Sequence, residues 1–205
     1  MKHLKKLVLV TMAAALALVI GGAASASATA LCKAAESPCS ALNKYPLGTE
    51  LHARTTSGGL VMKTEMGGSV IQKGECLAYT FKTKTATAGS ATETVEGNYE
   101  YVEAAPCAGV FFLRLGGYSI HHIAGSSNGQ YTMKNFEVLL NSSGIECVYG
   151  GTFAAGTLTG GNPATLKING SVPKVSGGFF CPETMSLTSG PIEFTTPKPL
   201  YVAAS

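Results

Sequence analysis

From Gly48 onward, short runs of alternating apolar and polar residues are separated by glycine-rich clusters. Leu77-Ala78-Tyr79-Thr80-Phe81-Lys82-Thr83 alternates clearly. Phe136, Val138 and Leu140 share one face, with Glu137 and Asn141 on the other, and Leu166 and Ile168 alternate with Thr165, Lys167 and Asn169. Leu60–Thr64, Met185 with Leu187, and Ile192-Glu193-Phe194 continue the pattern. Val110 to Leu115 is a nearly continuous apolar run with Arg114 inside it. A repeat of two is the period of a strand with one buried face. Between the runs stand Ser57-Gly58-Gly59, Gly67-Gly68-Ser69, Gly116-Gly117, Gly150-Gly151, Gly160-Gly161-Asn162-Pro163 and Ser176-Gly177-Gly178. Such clusters supply the conformations that tight turns require. Tyr131 to Leu140 has the best helical period, yet the preceding Ser-Ser-Asn-Gly and the following Gly144 suit a hairpin better. The pattern predicts an all-β fold, an antiparallel β-sandwich or barrel-like domain.

The two ends of the chain read differently. Lys2, Lys5 and Lys6 precede an apolar run from Leu7 to Ile20, and small residues follow to Ala30. That order is the layout of an export signal, and its apolar core is shorter than the roughly 20 residues of a membrane span. Overlapping A-x-A sites end at Ala26, Ala28 and Ala30. Cleavage after Ala28 divides the chain into a signal peptide helix, 1–28, and one secreted domain, 29–205, with no membrane span after the cut. Residues 29–47 form a cysteine-flanked lead-in to that domain, with one short helical turn expected around Ala34–Glu36 before Pro38.

Three of the fifteen lysines and arginines leave with the signal, so the domain balances twelve cations against twelve acids. With only Arg54 and Arg114 as arginines and no basic cluster, nucleic acid is excluded as a partner. The chain contains no Trp and no Asp. Calcium loops built on Asp spacing and Asp-containing triads are therefore absent in their usual form.

The six cysteines, Cys32, Cys39, Cys76, Cys107, Cys147 and Cys181, all follow the signal. An even number in an exported chain reads as three disulfides. Many pairings are open. The sequential one, Cys32–Cys39, Cys76–Cys107 and Cys147–Cys181, closes short loops within hairpins or neighbouring strands. A zinc site has no C-x-x-C to support it.

Candidate chemistry is sparse. His52, His121 and His122 remain after cleavage, and two consecutive strand residues cannot readily ligate one metal. Gly125-Ser126-Ser127-Asn128-Gly129 matches the nucleophile-elbow pattern, but no histidine follows it, so it reads as a hairpin loop. Ser171-Val172-Pro173-Lys174 matches S-x-x-K, where Pro173 and nearby glycines suggest a loop instead of the helix that chemistry needs. Glu93, Glu96, Glu100 and Glu103, near Tyr99 and Tyr101, form the densest acidic stretch and read as a solvated strand edge or loop, with a cation or partner surface as the alternative. Asn141-Ser142-Ser143 and Asn169-Gly170-Ser171 are glycosylation sequons. The Glu-Cys segments at 75–76 and 146–147 echo one another, as Thr- and Gly-rich strands often do.

Leu31-Cys32-Lys33, Glu36-Ser37-Pro38-Cys39-Ser40, Tyr45-Pro46 and Gly48-Thr49 lie near one end of the mature chain. Gly160-Gly161-Asn162-Pro163-Ala164, Cys181-Pro182 and Thr196-Pro197-Lys198-Pro199-Leu200-Tyr201-Val202 lie toward the other. Together they resemble a family of exported, disulfide-containing proteins of high-GC Gram-positive bacteria. The resemblance implies a bacterial source and transfers no activity and no functional residue. It makes the sequons irrelevant.

The expectation is a secreted or cell-surface β-domain, free or associated with the wall, without a cofactor and without catalysis. Its partner would be a protein or a polysaccharide. Two alternatives compete with it. One is an inhibitor of secreted hydrolases acting through Thr159–Ala164 or Ser171–Gly178, the other a glutamate-dependent glycoside hydrolase.

Overall fold

The computed structural model describes residues 28–87 and 94–205. The expected signal segment, apart from Ala28, and Glu93 of the acidic stretch lie outside the described residues. Among the described residues there is no helix, and fifteen strands carry the fold.

Eight strands close a barrel: β2 (Glu50–Thr55), β5 (Tyr79–Thr85), β6 (Thr94–Ala104), β9 (Gly117–His122), β10 (Gly129–Ser142), β11 (Ile145–Thr159), β12 (Thr165–Gly177) and β14 (Ile192–Thr196). They run in the order β11-β10-β9-β6-β5-β2-β14-β12, and pairing of β12 back onto β11 completes the ring, every pair antiparallel. Closure removes the sheet edges that would otherwise attract other chains.

The three longest neighbouring strands, β10, β11 and β12, outrun the barrel. Past Asn169 the edge of β12 leaves β14 and pairs with β13 (Thr184–Ser189). Beyond β13 follow β3 (Leu60–Met66), β4 (Ser69–Cys76) and β7 (Cys107–Ala108). This second sheet folds over the long strands. Gln72 Nε2–H of β4 donates to the Ile145 carbonyl at 2.8 Å, and Gly74 lies against Val110 and Leu140. The molecule is a barrel at one end and a sandwich at the other, joined by three shared strands. A further pair, β1 (Thr29–Cys32) with β15 (Tyr201–Ala204), lies outside the main sheet.

Alternation explains the core. Phe81, Tyr118, Ile120, Tyr131, Leu166 and Phe194 point into the barrel, and Met62, Phe136, Val138, Leu140, Met185 and Leu187 fill the sandwich; all are buried in one continuous cluster. Burying each such side chain contributes about 1.5–3 kcal/mol. Tyr118 stacks on Tyr131 with ring centroids 5.6 Å apart, and the hydroxyls of Tyr99 and Tyr131 bond each other. The barrel is thus filled by rings whose polar tips meet inside.

The disulfides are Cys32–Cys39, Cys76–Cys107 and Cys147–Cys181, which is the sequential pairing. The first closes the lead-in against β1. The second joins β4 to β7, where the two cysteines are directly opposite. The third ties the start of β11 to the segment after β12.

Two local expectations are corrected. Ala34–Glu36 forms bends, not a helical turn. The Glu36 carboxylate instead gathers the loop, accepting the Ser40 hydroxyl at 2.7 Å, the Ser40 amide at 2.8 Å and the Asn43 amide at 2.9 Å. Ser171–Lys174 is not a loop but the middle of β12, with Pro173 opposite Thr184 and Ser171 opposite Ser186.

Candidate interaction surface

The remaining strand, β8 (Val110–Arg114), is formed by the nearly continuous apolar run. It pairs with β10 on one side, Val110 facing Leu140, Phe111 facing Leu139 and Phe112 facing Val138. Among the described residues no strand pairs with its other side. The reason lies at Gly116. Its φ is +63°, and a Cβ there would meet the Lys134 and Asn135 carbonyls, so only glycine allows the chain to step between β8 and β9. On the β9 side of that step β6 closes the barrel, down to Asn98 opposite Gly117 and the bond from Tyr99 N–H to the Gly116 carbonyl. On the β8 side, β6 continues along β5 alone.

The bond from Asn141 N–H to the Gly109 carbonyl, 2.9 Å, sets the alternation along β8. Phe111 directs its backbone groups toward β10. Val110 and Phe112 direct theirs the other way. The side chains alternate too. Val110 is buried, Phe112 turns in toward Phe136 with ring centroids 6.1 Å apart, and Phe111 and Leu113 point outward, 56% and 54% exposed.

Phe111 begins an apolar row that crosses the outside of the molecule. It lies opposite Leu139, Leu139 opposite Val148, and Val148 opposite Ser176, so these side chains stand on one face of adjacent strands. Where Val148 meets β12 the register shifts, and the extra residue is Val175, 53% exposed. Beyond it Phe179 and Phe180 are 87% and 62% exposed, their rings 5.7 Å apart. Their segment is held by Cys147–Cys181 and by Gly177, where a Cβ would strike the Cys181 sulfur. Ionic groups border the row: Arg114 Nη1 is 3.4 Å from Glu137, and the Asn141 amide donates to Glu146 at 2.9 Å.

The residues singled out from the sequence lie elsewhere. His121 points outward and His122 inward, on opposite faces of β9. His122 Nε2–H donates to the Ser126 carbonyl at 2.8 Å. Half-buried His52 is 3.3 Å from Glu50. Gly125–Asn128 lies in the turn between β9 and β10, and with Ala35–Ser37 it walls an open groove of about 550 Å³. The Ser40 and Asn43 bonds hold the Glu36 carboxyl beside that groove below the ordinary carboxylate range.

Glu96 pairs with Lys134 at 3.0 Å and Glu100 with Lys84 at 3.4 Å, while Glu103 accepts the Tyr101 hydroxyl at 2.8 Å. Glu96 thus sits where β6 is paired on both sides, whereas Glu100 and Glu103 lie on the exposed stretch of β6 that pairs with β5 alone, a solvated strand edge as expected. Cys32, Glu36 and Cys39 come within 4.8 Å of one another. The two sulfurs are bonded together and offer no thiolate to a metal.

Sequence reasoning missed the surface that β8 begins. The Val110–Leu115 run signalled a strand but not which strand lacks a neighbour. Phe179-Phe180 between Gly178 and Cys181 was a readable signal, since two large apolar residues there stand in a turn between strands. The chain matches no protein-family model, no curated protein and no solved structure.

Proposed function

We propose that this chain is an exported, non-catalytic β-domain that binds another protein by taking an extended segment of it along the free side of β8. The carrying observation is the coincidence of two features at one place: a strand with outward-facing backbone groups at Phe112, and an apolar row that starts from the same strand at Phe111. Strand addition draws affinity from main-chain hydrogen bonds and selectivity from alternate side chains. Here the added strand would lie beside Phe111 and Leu113 and place apolar residues next to them. A hydrophobic edge left bare is otherwise an aggregation hazard, and three disulfides stiffen the domain that displays it.

Phe, Leu and Val favour an apolar protein surface over a sugar, whose rings are usually met by flat Trp or Tyr platforms. The inhibitor reading loses one of its two segments, because Ser171–Gly178 lies in β12 up to Gly177 and is not an exposed reactive loop.

The test is selection of peptides from a random library on the oxidised protein, followed by binding to Phe111→Lys and Leu113→Lys variants. Selected peptides should be extended and apolar at alternate positions, and the double variant should weaken them at least tenfold. Binding only to insoluble polysaccharide, unchanged in the double variant, would refute the proposal.

A further inference from the structure

We infer that the sandwich end of the molecule, where three chain reversals come together, settles on a zwitterionic lipid bilayer and dips the apolar side chains of two of them into it. The antiparallel pairings gather the reversals. β3 turns into β4 through Gly67-Gly68, with Met66 opposite Ser69, and β10 turns into β11 with Ser142 opposite Ile145. Residues 178–183 carry β12 into β13. The end of β3 lies beside the start of β13, Thr64 opposite Met185, and the start of β11 lies beside the end of β12, Cys147 opposite Gly177. The bond from Gln72 to the Ile145 carbonyl brings the first hairpin against the second.

Two of the three reversals present apolar side chains to water: Met66, Val70 and Ile71 on one, Phe179 and Phe180 on the other. Shape and charge both favour a lipid surface over a protein. These five side chains project from two separate backbone segments, and the recess beside them is polar, lined by Lys63, Glu65, Ser171, Thr184 and Ser186. A protein would need a socket matched to each projection, whereas a fluid acyl layer takes up apolar area without matching its shape. No Lys, Arg, His, Asp or Glu occurs in 66–72, 141–145 or 175–182. The reversals therefore carry no ionised group into a layer where charge is costly. Behind them cations meet acids: Lys73 Nζ lies 2.8 Å from Glu75, and Lys174 bonds Glu183. Paired in this way, they give no pull toward anionic headgroups. Attraction then rests on apolar area, which salt does not screen.

The turns also set the depth. Turn backbone outside the strand ladders cannot enter hydrocarbon, so it stays among the headgroups and only the side chains reach further. Cys147–Cys181 ties the phenylalanine segment to β11, and it meets the surface already ordered, which lowers the entropy lost on binding. This is a second activity, at the end of the apolar row farthest from Phe111, and strand addition at β8 does not enter into it.

The chain contains no Trp, so Phe179→Trp places a single reporter at the tip. The oxidised protein carrying it is titrated with phosphatidylcholine vesicles whose acyl chains are brominated, at low and at high salt. Indole emission should shift to the blue and be quenched, equally at both salt concentrations. The signal reads residue 179 itself and not the N-terminal apolar run. Adding Phe180→Ser, Val70→Ser and Ile71→Ser should weaken the partition at least tenfold, with circular dichroism unchanged because all three side chains are exposed. Absence of any shift or quenching would overturn the inference. So would a response confined to vesicles containing phosphatidylglycerol and lost at high salt, or one that the three serines leave unaltered.

Discussion

Tyr79, Tyr99, Tyr118 and Tyr131 converge inside the barrel, and their hydroxyls behave unlike surface phenols. Burial pushes all four above the ordinary 10.0, Tyr99 and Tyr131 furthest, because a phenolate there would lose its hydration. The folded protein therefore holds these protons at pH values where the unfolded chain releases them. Stability from this source is intact below about pH 10 and falls as pH rises beyond it. Alkaline titration followed by tyrosinate absorbance and circular dichroism should show these four ionising only as the barrel unfolds, in one coincident step. Smooth ionisation of all eight tyrosines near pH 10 with the fold intact would contradict the packing described. At this scale much was legible: the alternation of Tyr79 with Phe81 marks both as inward from the residue pattern alone. The inward role of Tyr118 was less so, since Gly116-Gly117 before it and the paired histidines after it blur the period.

At the scale of elements, hairpin neighbours were readable and free edges were not. The Tyr131–Leu140 hairpin, the Leu166–Ile168 strand and the turn at Gly125–Gly129 all follow from local period and turn residues. The status of β8 depends on where β6 stops pairing with β9, which is decided by the step at Gly116 and by strands distant in sequence. Ser171–Lys174 was misread because Pro173 and flanking glycines signal a loop. In the fold, those residues sit on a strand bent by a bulge at Val175.

The segment carrying Phe179 and Phe180 gains its fixed position from Cys147–Cys181, whose partners are 34 residues apart. Replacing both cysteines by serine should lower unfolding free energy by about 2–4 kcal/mol, measured as a reduced denaturant midpoint. An unchanged midpoint would mean that the strands alone hold that end.

For the whole molecule, composition and period conveyed an all-β protein, and the sandwich and barrel alternatives are both present because β10, β11 and β12 serve each in turn. Closure itself was not legible. It depends on β12 meeting β11, on β14 meeting β2 across most of the chain, and on registers that no local pattern encodes. The same topology leaves β8 paired on one side, so an edge stays open beside the apolar row.

That exception is the centre of the functional account, and backbone amide exchange reads it most directly. Exchange at Val110 and Phe112 is measured on the oxidised protein, free and with a peptide selected for binding. In the free protein the Phe112 amide should exchange faster than that of Phe111, which bonds across to β10. On binding, Phe112 should become strongly protected while the outward faces of the second sheet stay unchanged. Binding that leaves Phe112 exchange unaltered would place the partner elsewhere and contradict strand addition at β8.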